Sequence, residues 1–150
     1  MTTTILTPRN FPEGVSAGFG TKHVTEEDLR KPVVTMQQVH GNNITYITAA
    51  KDTLVLTSDG LISGLSDIPL TVNSADCVPI IFYDPESGLI GISHQGWKGT
   101  IEKLPQKLVE MMVHKGARIA SLRVAIGPSI GACCYKIFGE RRKMFEESFP

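Results

Sequence analysis

A chain of 150 residues, 41% hydrophobic and 20% charged, has room for one domain with its own core and is not a disordered or fibrous composition. Fifteen basic residues balance fifteen acidic ones, so no net charge draws the chain to nucleic acid or an anionic membrane, and no apolar run reaches the roughly 18 to 20 residues of a membrane span. The start, MTTTILTPRNFPEG, lacks the basic residues and apolar stretch of a secretory signal, and three cysteines are too few for a disulfide framework; a reducing cytoplasm is the expected location.

In chain order, GVSAGFGTK (14–22) reads as a strand entering a polar turn. VTEEDLR (24–30) starts like a short helix, with Thr25 as N-cap and acidic residues in the first turn. PVVTMQQVHG is a strand, β-branched at Val33, Val34 and Thr35 and stopped by Gly41. NITYITA alternates, imperfectly, as another strand. SDGLIS is a turn leading into a short strand, because Asp-Gly is a strong turn dipeptide. PLTVNSADCVPIIFYDPESGLIGISHQG holds two strands joined at DPESG, and the unbroken apolar run from Val78 to Tyr83 predicts a strand covered on both faces. From Thr100 to Lys115, Ile101, Leu104, Leu108, Met111 and Met112 recur at helical spacing, with Pro105 in the first turns and Gly116 closing the end. SLRVAIGP is a strand ending at Gly127-Pro128, and GERRKMFEESFP is a helix that stops at Pro150. No repeat or linker interrupts this series. It predicts a single α+β domain over residues 1–150, a layered arrangement of mixed β-sheets flanked by helices.

Three residues have the chemistry of a site. His40 in QQVHGN, Cys77 in SADCVP and His94 in GISHQGW all fall at strand ends beside turn residues, where side chains converge on a cleft. Two imidazoles and a thiolate suit zinc with a fourth position open, and they suit copper as well. The same residues also fit a cysteine nucleophile with a histidine base, or a small core cysteine with hydrogen-bonded turn histidines. Their spacing does not choose among these.

Five blocks in fixed order, QVHG, DGLIS, SADCVPIIFYD, HQGWKGT and AIGPSIGACCY, resemble the multicopper polyphenol oxidoreductase (laccase-domain) family, also called the YfiH-type purine nucleoside phosphorylases, over roughly residues 15 to 138. The resemblance implies a zinc-dependent enzyme that phosphorolyses adenosine, inosine and methylthioadenosine and deaminates adenosine. Polyphenol oxidation and peptidoglycan editing are also attributed to members. The family's metal triad falls on His40, Cys77 and His94. This chain departs from the family pattern in three places. HQGWKG stands for the usual His-Ala-Gly-Trp-Arg-Gly, so Lys98 keeps a charge without arginine's fork. The segment before QVHG is short, and members usually continue well past Pro150, so the domain is expected to be C-terminally incomplete relative to the family.

The resemblance suggests roles for further residues. Asp76, next to the ligand cysteine, is a candidate to orient a ligand or handle a proton. Lys22 and Lys98 are candidates to hold phosphate, and Gln38 to bond a purine edge. His23 is a weaker neighbour of Lys22, and His114 suits the C-terminal dipole of its helix. Cys133 and Cys134 read as packing residues, and Trp97 as a stacking surface or a core plug. The expected partners are small molecules, a purine nucleoside and phosphate, with neither nucleic acid nor membrane; the oligomeric state has no signature. A copper-dependent polyphenol oxidase is the alternative, but it needs further copper ligands and only His23 and His114 remain. A non-catalytic or fragmentary member of the family is the third reading.

Overall fold

A computed structural model describes residues 5–21, 24, 29 and 32–150. Nine strands and three helices are found among them. The centre is a five-stranded sheet in the order β4 (Ile44–Ile47), β6 (Gly60–Ser63), β8 (Ile90–Gln95), β7 (Val78–Tyr83), β9 (Arg123–Ile126). β4 runs parallel to β6 and the other pairs are antiparallel, so the sheet is mixed as expected. Two small sheets flank it: β1 (Ile5–Leu6) pairs antiparallel with β2 (Phe19–Gly20), and β3 (Val34–Met36) pairs parallel with β5 (Thr53–Val55). Helices α1 (Trp97–Ile101) and α2 (Leu104–His114) follow β8, and α3 (Gly139–Ser148) ends the chain.

Strand alternation divides the apolar side chains between the two faces of the central sheet. Ile62, Ile80, Phe82 and Leu89 pack with Leu108, Met112 and Ala117 on the α2 face, whereas Leu61 and Ile92 pack with Val34, Met36, Ile47 and Ile68 on the face toward β3. Complete burial of Leu108 and Met112 contributes about 1.5–3 kcal/mol each. The helix lies this close because β8 carries Gly91, where a Cβ would stand 3.0 Å from Leu108 and 3.2 Å from the Met112 sulfur.

The β7–β8 hairpin runs in register from Val78 opposite Gln95 to Tyr83 opposite Ile90, and it turns at Asp84 to Gly88. The buried Asp84 carboxylate organises that turn. It accepts the hydroxyls of Ser121 (2.5 Å) and Ser87 (2.6 Å) and the backbone N–H groups of Arg118, Ser87 and Glu86. Burial alone would push its pKa up; these hydrogen bonds overcome that and hold the carboxyl well below the usual range.

Several elements differ from expectation. The helix expected over Thr100 to Lys115 is two helices. The first begins at Trp97, and Lys103 turns the chain at φ 60° before the second. Pro105 is responsible, because its ring cannot continue a helix past the carbonyl of Ile101, so a new helix starts around it. The strand expected across PVVTMQQVHG ends at Met36, and residues 37–41 bend away toward Asp59. Among the described residues of GVSAGFGTK, only Phe19–Gly20 is a strand. The short helix expected over 24–30 falls largely on residues outside the described ones. No helix among the described residues is long and apolar enough to cross a membrane.

Candidate metal centre

The end of β8 and the loop entering β6 form one unit. The pairing of Gly60 with Ser93 sets Asp59 beside His94, and the His94 N–H donates to the Asp59 carbonyl at 2.8 Å. Asp59 is wholly buried and His94 is 2% exposed. The carboxylate Oδ1 of Asp59 lies 3.0 Å from His94 Nδ1 and accepts the His40 N–H at 3.0 Å. Oδ2 accepts the N–H groups of Val39 at 3.2 Å and Gly41 at 2.8 Å. One buried anion therefore gathers three consecutive amides and one imidazole. With Nδ1 bonded to the carboxylate, the other ring nitrogen of His94, Nε2, is left for a ligand.

This explains the backbone of His40. It sits at φ 59°, a left-handed conformation that costs a non-glycine residue about 1–2 kcal/mol. Bonds to a carboxylate are charge-assisted and offset that cost. The bend carries the His40 ring to 4.8 Å from the His94 ring, edge to face at 81°.

Cys77 is the residue before β7, whose Val78 pairs with Gln95. Its loop is pinned at both ends. The Gln38 amide donates to the Asn73 carbonyl and accepts the Asn73 N–H, both at 2.8 Å, and the Ile130 N–H donates to the Asp76 carbonyl at 3.1 Å. Ser74 Oγ also donates to the Cys77 carbonyl. One donor atom each from His40, Cys77 and His94 then lies within 4.8 Å of the other two. Tetrahedral zinc with nitrogen and sulfur ligands needs them about 3.4–3.8 Å apart, so small side-chain rotations close the set. Glycine makes the closeness possible: a Cβ on Gly96 would stand 3.1 Å from His40 Cδ2 and 3.7 Å from Cys77 Sγ. Gly99 is as tightly placed, since a Cβ there would meet the Gly41 carbonyl at 2.7 Å. Burial pushes the Cys77 thiol pKa up, and the nearby Asp76 and Asp59 charges add to the shift, so metal binding must displace a proton.

The other expected residues are distributed unevenly. Asp76 is exposed beside Cys77, and it is Asp59 that touches His94. Gln38 uses both ends of its amide on Asn73 and acts as a latch between two loops. Lys98 is exposed on α1 with Nζ 5.6 Å from the Trp97 ring, whose neighbourhood also holds Arg141 at 4.5 Å. Trp97 is half-buried under these two cations. Lys22 and His23 lie outside the described residues. His114 ends α2, exposed. Cys133 and Cys134, expected to pack, are both exposed, because the turn that carries them has no element over it among the described residues. Gln95 is buried; its Nε2 donates to Ser93 Oγ, and its Oε1 has no hydrogen-bond partner among the described residues. The cluster lies away from the two hollows of about 390 and 470 Å³ that line the N-terminal segment and β9.

Comparison with known proteins shows the family and the fold. The family profile described as multi-copper polyphenol oxidoreductase laccase matches residues 21–150. The chain belongs to this family. It is 36% identical over 102 residues to a purine nucleoside phosphorylase of Deinococcus radiodurans, covering 68% of this chain and 39% of that protein. It is 37% identical over 90 residues to a protein named adenosine deaminase RL5, from an unknown prokaryotic organism, covering 60% of this chain and 34% of that one. The crystal structure of YlmD from Geobacillus stearothermophilus superposes with a TM-score of 0.72 at 34% identity, over 79% of this chain and 47% of that chain. The α+β fold is thus shared with solved members, and this chain spans less than half of each of these relatives.

Proposed function

We propose that this laccase-family chain forms a mononuclear zinc centre of a purine nucleoside enzyme, one that phosphorolyses adenosine, inosine and methylthioadenosine and deaminates adenosine. The observation that carries this reading is the convergence of two imidazoles and a thiol on one point, with His94 oriented by a buried carboxylate. That donor set fits zinc by its chemistry. The names of the relatives supply the substrate class.

His40, Cys77 and His94 would hold the ion, which when bound supplies Lewis acidity at the reacting centre. The protein's own contribution is preorganisation. Asp59 fixes the tautomer of His94 and offsets the charge that a bound cation brings. Cys77 gives up its proton on loading. Asp76, exposed next to Cys77, would receive or return a proton during turnover. Lys98, and Lys22 with it, would attract phosphate and hold it by charge. In phosphorolysis the phosphate oxygen bonds to ribose C1′ as the base leaves, giving free base and ribose 1-phosphate. In deamination water replaces the amino group at C6, giving inosine and ammonia.

The test is product analysis of adenosine incubated with the zinc-loaded protein, with and without phosphate. Adenine should form only when phosphate is present, inosine should form in either case, and Cys77→Ala should form neither. Undiminished turnover by Cys77→Ala would overturn the reading. Oxidation of a phenol by the copper-loaded protein, with no nucleoside turnover, would favour the polyphenol oxidase instead.

A further inference from the structure

Outside the metal centre, the sequence places two thiols side by side in GACCY, and the fold leaves both on the surface. Adjacent side chains usually diverge. Here the chain turns tightly, with the N–H groups of Cys134 and Tyr135 both donating to the Gly131 carbonyl at 3.0 and 3.1 Å, and the two sulfurs come within 3.2 Å and share a hydrogen bond. That bond holds the Cys134 thiol above its ordinary pKa, which slows its oxidation as a thiolate. A disulfide between the two is also disfavoured. Sequence neighbours have Cα atoms about 3.8 Å apart, short of the roughly 4.4–6.8 Å that a relaxed disulfide spans. The pair therefore persists as a reduced dithiol of narrow bite.

A dithiol of this kind is selective for what it holds. Zinc needs three or four protein ligands, and among the described residues the group that supplies three is the separate set of His40, Cys77 and His94. Trivalent arsenic needs only two thiols, because its remaining position keeps a hydroxyl or an organic group. We propose that Cys133 and Cys134 form a binding site for trivalent arsenicals. With phenylarsine oxide the step balances without redox change: two S–H bonds and the arsenic–oxygen bond break, two sulfur–arsenic bonds form, and one water leaves. The site is tethered to the metal centre through its own segment, since Ile130, three residues before Cys133, donates its N–H to Asp76 beside Cys77.

The experiment is intact-mass measurement of the full chain after exposure to phenylarsine oxide, followed by excess 2-mercaptoethanol or by dithiothreitol. One phenylarsenic adduct per chain should survive the monothiol and be removed by the dithiol. Cys133→Ser and Cys134→Ser should each lose the resistant adduct, and Cys77→Ser should keep it. Both exposed positions accept serine without disturbing the core, so a loss reports chemistry and not unfolding. A resistant adduct that persists in Cys133→Ser, or that disappears in Cys77→Ser, would overturn the assignment.

Discussion

Asp59→Asn tests the anchor of the metal centre with almost no change of shape. In the wild type, Oδ1 serves His94 and the His40 amide, and Oδ2 serves the Val39 and Gly41 amides. Asparagine offers one oxygen and one NH₂, so in either orientation two donors face a donor. If the oxygen keeps His94, the amides of Val39 and Gly41 lose their acceptor. If the group flips, His94 and His40 lose theirs. Each charged hydrogen bond contributes about 1.5–3 kcal/mol, and the unfavourable φ of His40 loses its compensation at the same time. Loss of two such bonds is therefore expected to weaken zinc binding toward the upper end of the usual 10- to 100-fold effect of groups behind a ligand. A 100-fold loss corresponds to about 2.8 kcal/mol. Competition against a chromophoric chelator measures it, with thermal melts of both apoproteins alongside. An Asp59→Asn protein that holds zinc within twofold of wild type would refute the reasoning, because it would mean that the carboxylate orients nothing.

Other expectations follow from neighbouring contacts. Gly96→Ala keeps an ordinary backbone, since φ there is −72°, but it drives a methyl against His40; the fold should survive while zinc affinity falls several-fold in the same competition assay. Asp84→Asn should lower stability at neutral pH by about 2–4 kcal/mol in urea unfolding, through lost charged hydrogen bonds. Because the folded-state pKa of Asp84 is strongly depressed, the wild type holds this stability above the unfolded value of about 3.9 and loses it progressively as pH falls toward the folded value, so the gap between the two proteins should begin to narrow near pH 5 and go on narrowing below pH 3. A constant gap would show that Asp84 does not act through its charge.

Much of this was legible in the sequence because it is local. An unbroken apolar run and turn residues mark the β7–β8 hairpin, and the DPESG turn falls where expected. The three donors are candidates because cysteine and histidine are scarce and each adjoins a turn, but it is the family resemblance that singles them out as a metal triad. Asp59 did not stand out: in SDG it has the pattern of a turn aspartate, and nothing local reveals that the pairing of β6 with β8 buries it against His94. Asp76 is a candidate because it is next to Cys77 in sequence; it is exposed there, and the carboxylate bonded to His94 is that of Asp59. The helix after His94 was read as one because its apolar spacing continues through Lys103, where a single left-handed residue before Pro105 divides it. The exposure of Cys133 and Cys134 depends on what packs over their turn, which composition does not record.

The claim on which the rest depends is that His40, Cys77 and His94 bind one ion together, and X-ray absorption at the zinc edge of the loaded protein tests it directly. The expected spectrum has one sulfur neighbour at about 2.3 Å and two imidazole nitrogens at about 2.0–2.1 Å, with zinc at one equivalent per chain. A first shell without sulfur, or one with two sulfurs as Cys133 and Cys134 would provide, would contradict it.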